Sequence, residues 1–152
     1  IPVMDYRTHV SGVRPEDLES DNALNYDECR EHVQEIIADK VVVGHALIND
    51  FSALKLSHPW YLTRDTARFE PFMKPDPSDA KKFLPRKLKE LARNKLGRVI
   101  QEDGTEHDSI EDACAAMDLY KKARTKWEKA IDWKVNRTVA IIEGNVPASD
   151  QW

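Results

Sequence analysis

Apolar residues recur along the chain at two periods. After Asn25, Cys29, Val33, Ile36 and Ile37 fall three to four positions apart, the mark of a helix with one apolar stripe, and Glu28 three residues after Asn25 completes a capping box at its start. Val41-Val42-Val43 is a β-branched run closed by Gly44, which predicts a short strand covered on both faces. Asn49 predicts the cap of a helix that carries Phe51, Leu54 and Leu56 as far as His58-Pro59. Tyr61-Leu62-Thr63 then opens a second strand that ends at Asp65-Thr66. Strand, helix and strand in that order predict an α/β unit with a parallel pair.

The flanks are read the same way. Residues 5–15 form a loop leading into a helical turn at Glu16-Asp17-Leu18, and Pro71, Pro75, Pro77 and Pro85 predict a loop over 69–85. A helix from Pro85 is expected to bury Leu84, Leu88, Leu91, Ala92 and Leu96 and to stop at Gly97. The longest helix starts at Ser109, with Asp112 closing a capping box, and is expected to bury Ile110, Ala113, Met117, Tyr120 and Trp127. Beyond Asp132, Thr138-Val139-Ala140-Ile141-Ile142 is a candidate strand. These elements divide the chain into one domain over 1–130 and a C-terminal tail over 131–152.

Composition narrows the class. A chain of 152 residues with 41% hydrophobic and 33% charged residues fits one globular domain, and no apolar run approaches the ~18 residues of a membrane span. The first residue is Ile1, so earlier residues of the gene product are expected to lie outside this sequence, and no targeting segment is visible. Cys29 and Cys114 stand far apart among apolar neighbours and read as two buried reduced thiols, which implies an intracellular protein. A formal charge of −4 excludes a protein that merely coats nucleic acid. The charge is uneven, however. Residues 5–39 are acidic, whereas Lys81, Lys82, Arg86, Lys87, Lys89, Arg93 and Lys95 form a basic stretch, followed by another over 121–134. A polyanion could lie along the second half, although solvated helix faces explain each stretch equally well.

Three residues are candidates for chemistry by position: Asp50 at the start of a helix after a strand, His107 in a loop, and Asp112 in the first turn after it. A carboxylate near a helix N-terminus also has a purely structural use, since it stabilises the helix dipole by ~0.3–1 kcal/mol. The flanking residues change the weighting. Asp5-Tyr6-Arg7-Thr8-x-Val10-Ser11-Gly12-Val13, Val42-Val43-Gly44-His45-Ala46-Leu47-x-Asn49-Asp50-Phe51, Arg64-Asp65-Thr66, Gln101, and His107-x-Ser109-Ile110-Glu111-Asp112-Ala113 follow one another as five blocks. Together they resemble the DEDDh group of 3′→5′ exonucleases, in particular the RNA exonuclease 4 and interferon-stimulated exonuclease branch.

The resemblance implies an α/β, ribonuclease H-like exonuclease fold with a mixed sheet flanked by helices, and a two-metal mechanism using Mg²⁺ or Mn²⁺. It matches Asp50 and Asp112 to metal-ligand positions and His107 to the histidine that takes a proton from the attacking water, a role suited to its pKa near neutrality. Arg7 becomes a candidate reader of the RNA 2′-hydroxyl, and His45 a candidate substrate contact with an alternative structural use that it shares with Asp65 and Thr66. RNA is the implied partner, with single-stranded DNA as an alternative, in rRNA processing in the nucleus or nucleolus. The family's first motif, an Asp-x-Glu ending an apolar strand, has no counterpart. Asp17-Leu18-Glu19 follows Arg14-Pro15-Glu16 and no apolar strand leads into it. The N-terminal strands are therefore expected to be absent from this sequence. Three readings follow: a piece of an active enzyme, a degenerate relative that still binds nucleic acid, and an unrelated interaction module.

Overall fold

A computed structural model of the chain describes residues 3–102 and 107–145. Two short helices, α1 (Thr8–Ser11) and α2 (Pro15–Glu19), precede α3 (Tyr26–Ile37), whose capping box forms as expected: the Glu28 N–H donates to Asn25 Oδ1 at 3.0 Å and the Asn25 N–H to Glu28 Oε2 at 3.1 Å. Strand β1 (Val42–Gly44) pairs in parallel with β2 (Thr63–Asp65), Val42 opposite Thr63 and Gly44 opposite Asp65. The predicted α/β unit is therefore present. Its connecting helix, α4 (Ile48–Ala53), is shorter than predicted and starts before Asn49, with no side-chain cap. It stops because Lys55 adopts φ 49, a left-handed backbone that cannot continue a right-handed helix. Trp60–Leu62 forms a 3₁₀ turn in place of the start of the second strand, held by the Thr63 hydroxyl donating to the Pro59 carbonyl at 2.9 Å.

The proline-rich segment is structured. After a 3₁₀ turn at Glu70–Phe72, β3 (Lys74–Asp76) and β4 (Asp79–Leu84) form an antiparallel hairpin. Prolines are tolerated there because a two-stranded ribbon consists of edges, where a missing N–H is not missed, and Asp76 Oδ1 accepts from the Ser78 N–H and hydroxyl to close the turn. Leu84 consequently ends a strand and is exposed, contrary to its expected burial. Helix α5 (Leu88–Leu91) widens into a π-helical turn over Ala92–Leu96 and closes at Gly97, whose φ of 66 favours glycine.

Helix α6 (Ser109–Ile142) runs for 34 residues. Its cap is Asp108, whose Oδ1 accepts from Ile110 and Glu111, so the cap is not Ser109 as the expected Ser109–Asp112 capping box requires. Thr138–Ile142 continues the helix and forms no strand, because neither Gly nor Pro interrupts 109–142. The buried stripe of α6 is also displaced: Ala115, Ala116, Leu119 and Trp127 are buried, whereas Ile110, Ala113 and Met117 are exposed. These residues meet Phe72, Leu88, Leu91, Ala92 and Ile100 in the core, where Phe69 stacks on Trp127 at 4.1 Å. Neither cysteine is buried; Cys29 is half-buried, Cys114 exposed, and both are free thiols. No helix of the described residues is long and apolar enough to cross a membrane.

Candidate active site

The end of β1, the first turn of α4, the entry to α5 and the first turns of α6 enclose an open cavity of about 560 Å³. Gly44, His45, Asp50, Lys87, Gln101 and Asp112 are among its lining residues. Sequence-distant groups meet here because β1 packs against α6, which sets the turn after β1 beside the first turns of that helix. The turn itself is set by Asp65, whose carboxylate accepts from the N–H groups of Ala46 at 2.8 Å, Leu47 at 3.1 Å and Ala67 at 2.9 Å. Those bonds hold Ala46 at φ 60, a conformation side chains rarely adopt.

Asp112 carries the strongest anomaly. Its Oδ2 accepts from Gln101 Nε2 at 2.8 Å, while its Oδ1 is buried with no hydrogen-bond partner. A buried, unsatisfied carboxylate oxygen costs on the order of 1–3 kcal/mol, so it calls for an explanation in function. Gln101 is itself held at φ 51. Asp50 is exposed on the first turn of α4. His45 is partly buried, its Nδ1 3.0 Å from the Thr66 hydroxyl, which also donates to the Gly44 carbonyl at 2.8 Å. Burial lowers the His45 pKa; the charges of Asp65 and Asp112 and a hydrogen bond with the Arg86 backbone oppose that shift without reversing it. A neutral ring is favoured.

The cavity thus brings Asp50, Asp112 and His45 together. His107 and Arg7 do not line it. His107 is half-buried, and its carbonyl packs on Gly12, where an added Cβ would come within 2.4 Å of the oxygen. Arg7 sits at the N-terminus of α1 with its guanidinium exposed and 3.8 Å from Asp5. The site residues without an assigned role in the sequence were Gln101 and Lys87. Gln101 stood alone as a block, and Lys87 was one of many lysines.

No family model matches the chain. Individual relatives do. RNA exonuclease 4 of Saccharomyces cerevisiae is 46% identical over 127 residues, 84% of this chain and 41% of the relative. RNA exonuclease 4 of Mycosarcoma maydis is 44% identical over 129 residues, 85% of this chain and 32% of the relative. Human interferon-stimulated 20 kDa exonuclease-like 2 is 39% identical over 127 residues, 84% of this chain and 35% of its own length. The chain belongs to the DEDDh exonuclease family. It spans between 32% and 41% of the length of these relatives.

The fold of this DEDDh exonuclease chain agrees with solved structures. The Saccharomyces cerevisiae Pan2 pseudoubiquitin hydrolase-RNA exonuclease module, solved in complex with AAGGAA RNA, superposes with a TM-score of 0.68 at 33% identity, covering 97% of this chain and 24% of that one. The Neurospora crassa Pan2 catalytic unit gives 0.68 at 27% identity, covering 91% and 22%. The ribonuclease H-like α/β class expected from the sequence is therefore the fold of this chain. Among the described residues no group of three or more His, Cys, Asp or Glu is arranged to hold a metal ion. Two carboxylates on one cavity, one with a free buried oxygen, nevertheless suit a hard cation such as Mg²⁺, which commonly takes one or two carboxylates and completes its shell with water and substrate phosphate.

Proposed function

We propose that this chain is the catalytic domain of a 3′→5′ exonuclease that hydrolyses RNA, with Asp50 and Asp112 as ligands for Mg²⁺ or Mn²⁺. The observation that carries this reading is that Asp112, one of whose carboxylate oxygens is buried without a partner, lines the same cavity as Asp50. When bound, divalent ions supply charge stabilisation at the scissile phosphate and a water of lowered pKa. Gln101 fixes the Asp112 carboxylate through Oδ2, so Oδ1 is the oxygen that would remain for the ion. His107 takes the proton of the attacking water, and its position on the loop before α6 leaves its imidazole outside the cavity wall until substrate arrives. Arg7, with its guanidinium in solvent, reads the terminal 2′-hydroxyl, and His45 contacts the substrate from the cavity wall. The family resemblance favours rRNA processing in the nucleus, with single-stranded DNA as a secondary substrate.

A second reading, an RNA-binding domain without catalysis, is favoured by one observation: two carboxylates, and not four, face the cavity among the described residues. The two readings separate on a 5′-labelled single-stranded RNA with Mg²⁺. The 152 residues alone are expected to shorten it from the 3′ end slowly, and Asp112→Ala to abolish even that. Shortening that survives Asp112→Ala would overturn the catalytic assignment, and tight RNA binding with no shortening at any metal concentration would establish the second reading.

A further inference from the structure

Beside the Asp50–Asp112 cavity lies a second one of about 440 Å³, and the two share His45 and Lys87 in their walls. Its lining is apolar in one part, with Ile48, Ala67 and Met73, and cationic in another, with Arg68, Arg86 and Lys87. These three side chains come from different places: Arg68 from the loop after β2, Arg86 from the link between β4 and α5, and Lys87 from the residue that opens α5. Among the described residues none of the three is in an ion pair. By contrast, Arg64, Lys82, Arg98 and Lys121 all have carboxylate partners. Three cations around one cavity, with a single carboxylate, Asp65, whose oxygens are taken by backbone N–H groups, leave an excess of positive charge that favours an anion. Apolar and cationic lining together match a nucleotide, whose base covers the apolar side chains while its phosphate takes the charges.

We propose that this cavity is a nucleotide subsite that holds the residue on the 5′ side of the scissile phosphate, with Arg68, Arg86 and Lys87 on the backbone and Met73 beneath the base. The proposal rests on the reading of the neighbouring cavity as the cutting site: an enzyme that removes residues from the 3′ end leaves the rest of the strand on the 5′ side of the cut, and the shared His45–Lys87 wall makes this cavity adjoin that site. It assigns a purpose to the hairpin: β3 and β4 bring Met73 and Pro85, which flank the hairpin at its two ends, to the same cavity. Specificity for sequence is not expected, because no amide or carboxylate side chain free to read a base edge is among the lining residues. Asp65 is the one carboxylate there, and its oxygens are occupied by backbone N–H groups.

The test is binding of a fluorescein-labelled single-stranded RNA of about ten nucleotides, measured by anisotropy in Ca²⁺ so that it is not cut. A triple variant Arg68→Gln, Arg86→Gln, Lys87→Gln is compared with a charge-matched control, Lys126→Gln, Lys129→Gln, Lys134→Gln. The control positions lie about 20–33 Å beyond Asp112 along α6 at 1.5 Å per residue. The triple variant is expected to raise Kd at least tenfold and to reduce the slope of log Kd against log salt by about 2, the value for three phosphate contacts on a single strand. The control is expected to change Kd less than threefold. Arg68→Gln alone, whose side chain makes no ion pair in the fold, repeats the test should the triple variant fail to fold, with about a threefold loss expected. An equal loss in variant and control, or no loss in either, overturns the subsite alone. Absence of RNA binding by the unaltered chain overturns the functional reading and the subsite with it.

Discussion

A side chain that serves a ligand is often recognised by what it does badly in the empty protein, and Asp112 is such a residue. Its Oδ1 is buried and unpaired, so Asp112→Asn should remove a buried charge while keeping the Gln101 contact. The expected outcome is thermal stability unchanged or raised by up to about 1 kcal/mol, together with loss of Mn²⁺ binding measured by electron paramagnetic resonance. A loss of more than about 1 kcal/mol would mean that the carboxylate serves the fold. Gly12 is the converse case. At φ 70, with the His107 carbonyl where a Cβ would stand, Gly12→Ala should cost about 1–2 kcal/mol in urea unfolding and displace the His107 loop. At this scale the sequence was partly legible. Asp50, His107 and Asp112 stood out through their neighbours. The unsatisfied oxygen and the contact between residues 12 and 107 depend on tertiary approach, which no local pattern encodes.

Among the elements, β2 and α6 are joined by one polar lock. Arg64, 4% exposed, donates from Nε and Nη2 to the two oxygens of Glu128 at 2.8 Å each, and Tyr120 donates to Glu128 Oε1 at 2.8 Å. The Arg64 hydrogen bonds hold the Glu128 carboxyl below its ordinary 4.5, with Tyr120 adding to them and Arg124 contributing charge. A depressed acid pKa stabilises the fold above the unfolded value and ceases to do so as pH falls through the folded one. Glu128→Gln is therefore expected to cost about 1–2 kcal/mol at pH 7, less than a fully buried pair because the Glu128 side chain is 37% exposed, and progressively less below pH ~4.5. Chemical denaturation across pH 3–7 reads this directly, and a constant difference over that range would count against the lock. Element types for α3, β1 and the start of α6 were legible from period and caps. The β3–β4 hairpin was not, because prolines that forbid a central strand are permitted in an isolated ribbon. The stripe of α6 was misread because Ala115 and Ala116 are small enough to lie against α5 and the π-helical turn, while Ile110 and Met117 remain in solvent.

Across the whole molecule, burial is unevenly distributed. The buried hydrophobic residues run from Ala67 to Trp127, and α2 and α3 contribute none. Within the N-terminal third, the segment before β1 is joined to the rest by few bonds among the described residues, including the Tyr26 hydroxyl donating to the Ala53 carbonyl at 3.0 Å and His58 at 3.0 Å from the Lys40 carbonyl, and by the contact of Gly12 with His107. Segments with little buried apolar surface open at low free-energy cost while the core stays closed. Native-state hydrogen exchange should therefore show residues 7–37 exchanging at least about a hundredfold faster than 113–127, a gap of roughly 2.7 kcal/mol in opening free energy. The end of α6 beyond Ile131, the last residue of that helix packed against the core, should exchange with the fast group. Because Gly12 packs on the His107 carbonyl, opening of the first third also frees the loop that carries the candidate general base. RNA bound across both regions should slow exchange at 7–37 and at 107–110 together. Slowing at 107–110 alone would show that the two move independently, and exchange of the N-terminal third in step with 113–127 would show one cooperative unit despite the uneven core.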